Sequence, residues 1–280
     1  MPILHAIVLG IVQGLTEFFP ISSSGHLLLV PWLFGWNDFS GADSLQKTFD
    51  VALHIGTLAG AVAYFRSDIA RYVKAGVLVA LKRSQYEGTR VSHDGRIAWL
   101  LVMASIPAAI TGAIFSDVIE RNLDNKIWLI AIMLVVFGIV LYWADNRQGR
   151  REMDSFGFRD ALAMGAGQAL ALQPGVSRSG VTISVGRFIG LDRASAARAS
   201  FLMSVIITAG AVVFKLKDIS SIPSSFYAPF VWGIISSAVT GWLAVWVTLR
   251  LVTTKTFAPF VVYRIIAGVA VLGLLASPWR

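Results

Sequence analysis

An amide and a carboxylate lie four residues apart in an apolar stretch near the start of the chain. They are Gln13 and Glu17, and this spacing places both side chains on one face of a helix. An ionisable side chain in a segment apolar enough for a membrane indicates a functional site, because burying it is costly. The structural alternative is a Glu17 that only pairs with a cation from another helix.

Three hydroxyl groups and an imidazole follow shortly afterwards, where the chain reads Ser-Ser-Ser-Gly-His over residues 22–26. Ser22 or Ser23 is placed to cap the N-terminus of a helix that begins here. His26 lies three residues after Ser23 and four after Ser22, within side-chain reach on one helical face. The spacing therefore predicts that hydroxyl, imidazole and carboxylate gather near one break, as an activated nucleophile requires.

A second polar segment supplies positive charge. It reads Pro174-Gly-Val-Ser-Arg-Ser-Gly-Val-Thr182 and has Arg178 at its centre. Arginine holds phosphate oxygens in a two-point geometry, and the free N–H groups at a helix N-terminus bind anions. No acidic residue lies within ten positions of Arg178, so its charge calls for a bound phosphate or for Glu17 from the first segment. Together the two segments indicate a phosphate site.

The elements that carry these segments are apolar helices. Hydrophobic residues make up 56% of the 280 residues and charged residues only 14%. Because soluble domains carry ~25% charged residues, this composition excludes a soluble enzyme, a disordered regulator and a nucleic-acid reader, despite the net charge of +8. Six stretches are long enough, or nearly so, to cross ~30 Å of hydrocarbon: Thr48–Phe65, Ile97–Phe115, Ile127–Ala144, Ala199–Phe214, Phe226–Leu249 and Phe257–Trp279.

Two charged or short features sit within this pattern. Val73–Leu81 is too short to span and is flanked by basic residues, so we expect an interfacial helix. Arg264 lies inside the last apolar stretch, where contact with lipid would be costly. We therefore expect its side chain to face protein or water.

Two further apolar regions, Ile3–Trp36 and Phe158–Leu191, are interrupted by polar breaks at Pro20–Gly25 and Gln173–Gly180. Their arms are too short to span separately. Exposed backbone at membrane depth is tolerated only where it is buried in protein or lines a cavity, which predicts two re-entrant helix pairs. At an offset of 155 the two regions share five residues: Gln13 and Gln168, Leu15 and Leu170, Ser22 and Ser177, Ser24 and Ser179, Gly25 and Gly180.

The predicted fold is accordingly an all-α polytopic membrane protein with six transmembrane helices and two re-entrant helix pairs in an inverted-topology repeat. Residues 1–280 form a single membrane domain in this interpretation. Its two inverted repeats cover about 1–144 and 158–280, and a basic loop at 145–157 joins them.

Loop charges predict the orientation. Lys82–Arg96 and Asp145–Arg159 each carry four Lys or Arg residues, whereas Ser116–Lys126 carries two, diluted by three acidic residues. The first two loops are therefore expected in the cytoplasm and the third outside. This orientation makes the first broken region enter from the outside and the second from the cytoplasm.

The two motifs resemble those of a known family, the bacterial undecaprenyl pyrophosphate phosphatases, also called bacitracin-resistance proteins. The resemblance rests on Gln13-Gly-Leu-Thr-Glu-Phe-Phe-Pro-Ile-Ser-Ser-Ser-Gly-His26 and on Pro174-Gly-Val-Ser-Arg-Ser-Gly-Val-Thr182. It extends less specifically through Lys47-Thr-Phe49 and Val262-Tyr-Arg264. The family has Glu or Gln at position 13, so the Gln form weakens any mechanism that needs two carboxylates. Ser24 replaces the Thr of many members with another hydroxyl.

The resemblance implies an enzyme that hydrolyses the C55 isoprenyl pyrophosphate to the monophosphate and inorganic phosphate. This reaction recycles the lipid carrier for cell-wall synthesis at the outer face of the bacterial plasma membrane and confers resistance to bacitracin. By position, the catalytic set corresponds to Glu17, Ser23, His26 and Arg178. The expected contacts to the pyrophosphate are Ser22, Ser24, Gly25, Ser177, Ser179, Gly180 and Thr182. A divalent cation, Mg²⁺ or Ca²⁺, is also implied, and Glu17 and Gln13 are its expected ligands because hard oxygen atoms suit these ions.

The alternative function is a secondary transporter or flippase of an anionic lipid or a small phosphate-bearing substrate. Carriers also use inverted repeats and an anion site at the membrane midplane. A carrier needs no nucleophile and base, so Ser23 with His26 favours the enzyme. The expected partners are the isoprenyl pyrophosphate lipid and the membrane, with no nucleic acid. A phosphoseryl intermediate, direct attack by water and a homodimer all stay open at this stage.

Overall fold

The structure, a computed structural model, describes residues 1–82, 89–123, 126–215 and 222–277. Eleven α-helices cover most of these ranges, which confirms the predicted all-α class. They are α1 (Ile3–Phe18), α2 (Ser23–Phe34), α3 (Asp43–Tyr64), α4 (Arg66–Ala80), α5 (Thr89–Leu123), α6 (Ile127–Asp145), α7 (Phe158–Leu170), α8 (Arg178–Phe188), α9 (Arg193–Lys215), α10 (Tyr227–Val252) and α11 (Ala258–Ala276). Two short 3₁₀ turns lie at Met153–Ser155 and Ser224–Phe226.

Five helices in the described ranges are each long and apolar enough to cross a membrane, namely α5, α6, α9, α10 and α11. The sixth expected span lies in α3, which meets the same criterion together with α4, across a bend of 83°. The expected interfacial helix is the second half of α4, which ends at Ala80 with Leu81 as its C-cap. The protein is thus a multi-pass membrane protein.

The end of α5 differs from the prediction. Residues 116–123, expected to belong to an external loop, continue α5, which is 35 residues long. Loss of apolar character marks where a segment leaves hydrocarbon, whereas the helix itself can continue into water. Residues 83–88 of the first expected basic loop, residues 124–125, and residues 278–280 at the end of the last expected span lie outside the described ranges.

Both broken regions form pairs of short helices. The arms α1, α2, α7 and α8 contain 16, 12, 13 and 11 residues. At ~1.5 Å per residue they are about 17–24 Å long, shorter than the ~30 Å of hydrocarbon. The breaks themselves cover residues 19–22 and 171–177, so Ser23 and Arg178 are already the first residues of a helix.

Each second arm begins at a serine in the left-handed region. Ser22 has φ of 79° and Ser177 has φ of 74°. The hydroxyl of Ser22 accepts from the N–H of Gly25 at 3.3 Å, and that of Ser177 accepts from Gly180 at 3.1 Å. These contacts satisfy N–H groups that have no partner within the helix. The expectation that Ser22 or Ser23 caps α2 is therefore confirmed for Ser22.

The helix that carries Glu17 is fixed by close backbone packing. α10 lies against both α1 and α3, and small residues line the contact. A Cβ atom at Gly14 would lie 2.7 Å from the carbonyl oxygen of Ser237, and one at Gly60 would lie 2.8 Å from the nitrogen of Trp242. Close approach of small residues is the usual means of packing helices in membranes. It holds α1, and the polar face of α1, in one position.

Candidate active site

Glu17 lies at the centre of a buried polar cluster at the end of α1. Its Oε2 atom accepts from Gln13 Nε2 at 3.1 Å and from Ser23 Oγ at 2.7 Å. Its Oε1 atom forms an ion pair with the guanidinium of Arg178. Because these partners come from α1, α2 and α8, the carboxylate connects both broken regions.

Arg178 enters this cluster from the second broken region, as the first residue of α8. The sequence left two partners open for its charge, and the structure pairs it with Glu17. The side chain of Arg178 is 21% exposed, whereas that of Glu17 is 3% exposed. An anion that approaches from solvent can therefore reach Arg178 while Glu17 stays covered.

The ring of His26 is held away from Ser23. Its Nδ1 lies 2.7 Å from the carbonyl oxygen of Ser22, so this nitrogen must carry the proton. Its Nε2 lies 2.7 Å from the hydroxyl of Tyr263, and the two rings stack at 5.6 Å. The expected pairing of Ser23 with His26 is thus not what the structure shows, because Ser23 donates to Glu17 instead. The spacing allows Ser23 and His26 to approach each other, but the Ser22 carbonyl and the Tyr263 hydroxyl occupy the two ring nitrogens.

The two breaks are joined directly to each other. The N–H of Gly175 donates to the hydroxyl of Ser22 at 3.0 Å, and the hydroxyl of Ser179 donates to the carbonyl of Phe19 at 3.2 Å. Ser22 of the first break and Ser179 in the first turn of α8 thus each bond to backbone of the opposite break. They satisfy polar groups that the breaks would otherwise leave unpaired.

Arg264 completes this junction from α11. It is fully buried, which confirms the expectation that it faces protein. Its guanidinium donates to the carbonyl of Pro20 at 3.0 Å and to that of Gly175 at 2.8 Å, one from each break. It also donates to the carbonyl oxygens of Leu134, Met133 and Val176. Arg264 therefore holds backbone, and Arg178 is the cation left for a ligand.

Most of the expected pyrophosphate contacts have structural hydrogen bonds here. The hydroxyls of Ser22 and Ser177 cap helices, and the N–H groups of Gly25 and Gly180 are their donors. Thr182 is fully buried, and its hydroxyl bonds to Ser200 Oγ at 2.6 Å and to the carbonyl of Arg178 at 2.7 Å. The remaining hydroxyls are those of Ser179, which is buried and bonded to Phe19, and of Ser24, which is exposed.

Two residues of this site escaped the sequence analysis. His54 of α3 has its Nε2 3.7 Å from Glu17 Oε2, and its Nδ1 bonds to the carbonyl of Asp50 at 2.7 Å. An ionisable residue inside an apolar span was the signal that could have selected it. Tyr263 lies in the Val262-Tyr-Arg264 segment of the family resemblance, but its residue type predicted no role, because an aromatic residue in a membrane helix is ordinary.

The donor set suits a hard cation that also binds phosphate. Gln13 Oε1 is buried without a hydrogen-bond partner among the described residues, beside the carboxylate of Glu17. The described residues contain no group of three or more His, Asp or Glu side chains placed to hold a metal. Mg²⁺ is usually held by one or two carboxylates together with substrate phosphates, so a single carboxylate and an amide oxygen fit that arrangement.

Fold and site define a class: a multi-pass membrane protein in which two helix breaks bring an acid, a hydroxyl and an arginine together. The chain belongs to the family described as bacitracin resistance protein BacA, whose profile matches residues 6–270. It is 45% identical to the undecaprenyl-diphosphatase of Pelotomaculum thermopropionicum, over 99% of this chain and 98% of the relative. The undecaprenyl-diphosphatase of Geobacter sulfurreducens is 46% identical over 98% and 99%, and that of Pelobacter propionicus 44% over 99% and 98%.

Proposed function

We propose that this protein is an undecaprenyl pyrophosphate phosphatase, which releases inorganic phosphate and leaves the lipid monophosphate. The observation that carries the proposal is the meeting of Glu17, Ser23 and Arg178 at the junction of the two breaks. Near-full-length similarity to relatives named undecaprenyl-diphosphatase supports the substrate. Such an enzyme would recycle the lipid carrier and confer bacitracin resistance.

Arg178 binds the pyrophosphate in this proposal. In the free protein its charge is balanced by Glu17. A pyrophosphate carries more negative charge than one carboxylate and offers two oxygens to the planar guanidinium. The substrate therefore takes the place of Glu17 at Arg178, which leaves the carboxylate to act on Ser23.

Ser23 is the nucleophile that the geometry favours. Its hydroxyl already donates to Glu17 Oε2 at 2.7 Å, within the range for proton transfer to a base. As Oγ bonds to the terminal phosphorus, the proton passes to Glu17 and the bridging P–O bond breaks toward the lipid monophosphate. Water then attacks the phosphorus, the P–Oγ bond breaks, and Oγ takes back the proton from Glu17 as inorganic phosphate is released.

His26 serves the water step. With its proton fixed on Nδ1 by the Ser22 carbonyl, Nε2 is the nitrogen that accepts a proton. The hydroxyl of Tyr263 lies on that nitrogen and can pass a proton from water to it. Tyr263 would therefore act as a proton relay between the water and His26.

Gln13 and Glu17 would hold the divalent cation that the family resemblance implies. Gln13 Oε1, which has no hydrogen-bond partner among the described residues, and the carboxylate of Glu17 would be its oxygen ligands. When bound, Mg²⁺ or Ca²⁺ neutralises charge on the phosphate oxygens.

The reaction is placed at the external or periplasmic side of the bacterial plasma membrane, the side to which the first broken region is expected to open. Ser40 and Gln148 are exposed and lie in segments predicted to be outside and inside. Since the chain has no native cysteine, Ser40→Cys should react with an impermeant thiol reagent in intact cells, and Gln148→Cys only after lysis. The opposite pattern would contradict the orientation.

The decisive assay is phosphate release from undecaprenyl pyrophosphate by detergent-purified protein, without a membrane gradient and with or without a chelator. The wild type should release one phosphate per lipid, and Arg178→Ala should lose nearly all activity. Arg159→Ala, which changes an exposed arginine outside the site, is the matched control and should behave like the wild type. A folded wild type that binds the lipid but releases no phosphate would indicate a carrier instead.

A further inference from the structure

A second basic site lies at the other end of α8. That helix begins with Arg178 in the active site and has Arg187 in its last turn, so at ~1.5 Å per residue the two arginines are separated by about 14 Å along the axis. Arg187 lines an open pocket of about 640 Å³ between the ends of α6 and α10 and the start of α9. The pocket is lined by four arginines (Arg147, Arg150, Arg187 and Arg193) and two aspartates (Asp145 and Asp192).

Both aspartates of the pocket are committed to the protein. Asp145 accepts from Arg193 Nε through Oδ1 and from the N–H of Phe257 through Oδ2 at 2.8 Å, which caps the start of α11. Asp192 accepts from the N–H of Ser195 at 2.6 Å and caps α9 in the same way. Asp145 thus pairs closely with Arg193 and only distantly with Arg187, whose Nε lies 4.0 Å from its Oδ1.

Arg187 is the buried cation of the pocket. Its side chain is 3% exposed, and its Nη groups donate to the carbonyl oxygens of Leu191 at 2.6 Å, of Asp145 at 3.3 Å and of Arg147. Its Nε has no hydrogen-bond partner among the described residues, and the nearest carboxylate oxygen, on Asp145, lies 4.0 Å away. A buried, charged donor without a partner is costly, so this atom favours an anionic acceptor.

Two further arginines at the rim of the pocket have exposed side chains. In the part of the chain that the structure describes, neither Arg147 nor Arg150 forms an ion pair. Their backbone lies between α6 and the 3₁₀ turn at Met153–Ser155. They add mobile positive charge to the fixed charge of Arg187.

Exposed aromatic residues place this pocket at the level of lipid headgroups. Tyr142 and Trp143, in the last turn of α6, are 52% and 60% exposed, and Trp246 of α10 is 44% exposed. Tyrosine and tryptophan on the outer surface of membrane helices mark the interface between hydrocarbon and water. The pocket begins at Asp145, immediately after this pair, so it opens where phospholipid phosphates lie.

We propose that this pocket binds the phosphate of an anionic phospholipid headgroup. Basic pockets between membrane helices are known to hold such headgroups. The phosphate would lie in the pocket against Arg187, and Arg147 and Arg150 would enclose it from the rim. The site is separate from the catalytic cluster and has no part in the proposed hydrolysis.

The test is lipid binding by detergent-purified, full-length protein, followed by native mass spectrometry. The probes are phosphatidylglycerol, phosphatidylcholine as the zwitterionic comparison, and inorganic phosphate. The double variant Arg147→Gln/Arg150→Gln removes charges without breaking a described contact. The matched control is Arg96→Gln/Arg159→Gln, which removes two charges from exposed arginines outside the pocket.

The expected result is a phosphatidylglycerol affinity about tenfold weaker or more in the pocket variant, since each arginine near a membrane surface contributes appreciably to anionic lipid binding. The control should stay within about twofold, and phosphatidylcholine should bind weakly to all three proteins. Equal loss in both double variants would overturn the proposal in favour of general charge attraction. Wild-type binding of inorganic phosphate without phosphatidylglycerol would also overturn it, in favour of a soluble anion. Phosphate release in detergent, measured in parallel, should be unchanged in both variants.

Discussion

The two helix breaks share one backbone conformation, but the reactive side chains next to them differ. Ser22 and Ser177 both take a left-handed conformation and cap the following helix through the glycine three residues later. In each case the hydroxyl also approaches the serine two residues on, at 3.5 Å in the first break and 3.3 Å in the second. The two regions, which share residue types at an offset of 155, therefore also share a local backbone conformation.

The side chains at matching positions differ where the chemistry lies. Ser23 matches Arg178, Glu17 matches Leu172, and His26 matches Val181. At these three matching positions the first broken region has the acid, the hydroxyl and the imidazole, and the second has only the cation. Neither break could form the site alone, which explains why the breaks are tied together by hydrogen bonds across their junction.

Removal of the acid from the first break should have the largest effect. Glu17→Gln is nearly isosteric but loses the base for Ser23, the charge that balances Arg178 and the charged cation ligand. We expect turnover to fall by roughly a thousandfold or more, about 4 kcal/mol in the barrier. The measurement is turnover against Mg²⁺ and Ca²⁺ concentration.

Gln13→Ala is the matched control for this change, because it removes a neutral amide from the same helix face. Turnover should fall by no more than about tenfold, since the neutral amide contributes at most one oxygen ligand or one hydrogen bond to Glu17, worth ~1.5 kcal/mol. A Glu17→Gln protein with the wild-type cation dependence would show that Glu17 is not the cation ligand.

Changing the cation of the second break should have the next largest effect. Arg178→Lys keeps the charge but replaces a planar two-point donor with a single ammonium. We expect turnover to fall by roughly a hundredfold, about 2.7 kcal/mol in the barrier. Steady-state kinetics on the purified variant measure it, and retention of most wild-type turnover would rule out the proposed grip on phosphate.

Tyr263→Phe tests the role of the imidazole of His26, which has no counterpart in the second broken region. The variant keeps the stacked ring and removes the hydroxyl from His26 Nε2. We expect roughly a tenfold loss of turnover together with an altered pH profile, because the proton acceptor loses its partner. A loss without any change in the pH profile would assign Tyr263 a packing role only.

Sequence patterns predicted the parts of this site that are chemically unusual for a membrane. Glu17 and Arg178 were selected because charges in apolar segments are costly. Glu17 was also one of the two partners that the sequence suggested for Arg178. The hydrogen bonds of Ser23 and His26 could not be predicted in the same way. Their spacing allowed a contact with each other, but side-chain rotamers and a tyrosine 237 residues away decided the outcome.

The fold was predicted at the level of segments rather than ends. Apolar length located the helices, but it did not show that α5 continues through residues 116–123. The breaks were expected to reach Gly25 and Gly180, yet the capping serines draw Ser23–Gly25 and Arg178–Gly180 into the first turns of α2 and α8. Polar composition indicates which segment can bind ligands or water. The residue at which a helix begins depends instead on which hydroxyl accepts a hydrogen bond from a backbone N–H of its first turn.

The smallest expected effect is a difference in the stability lost when each of the two capping serines is replaced. Ser177→Ala removes the hydroxyl that accepts from Gly180, and loss of an N-cap costs ~1 kcal/mol. Ser22→Ala removes the acceptor of Gly25 and also that of Gly175, across the junction, so it leaves a second buried N–H unpaired. We therefore expect Ser22→Ala to cost about 2 kcal/mol or more.

Thermal unfolding of both purified variants should show the larger drop in Tm for Ser22→Ala. Because alanine tolerates the left-handed conformation no better than serine, Ser22→Gly and Ser177→Gly separate cap loss from backbone strain. If the order of the two serines is the same in the alanine and glycine pairs, the difference comes from the Gly175 bond. Equal losses for Ser22 and Ser177 in both pairs would mean that the junction contributes no stability beyond the two caps.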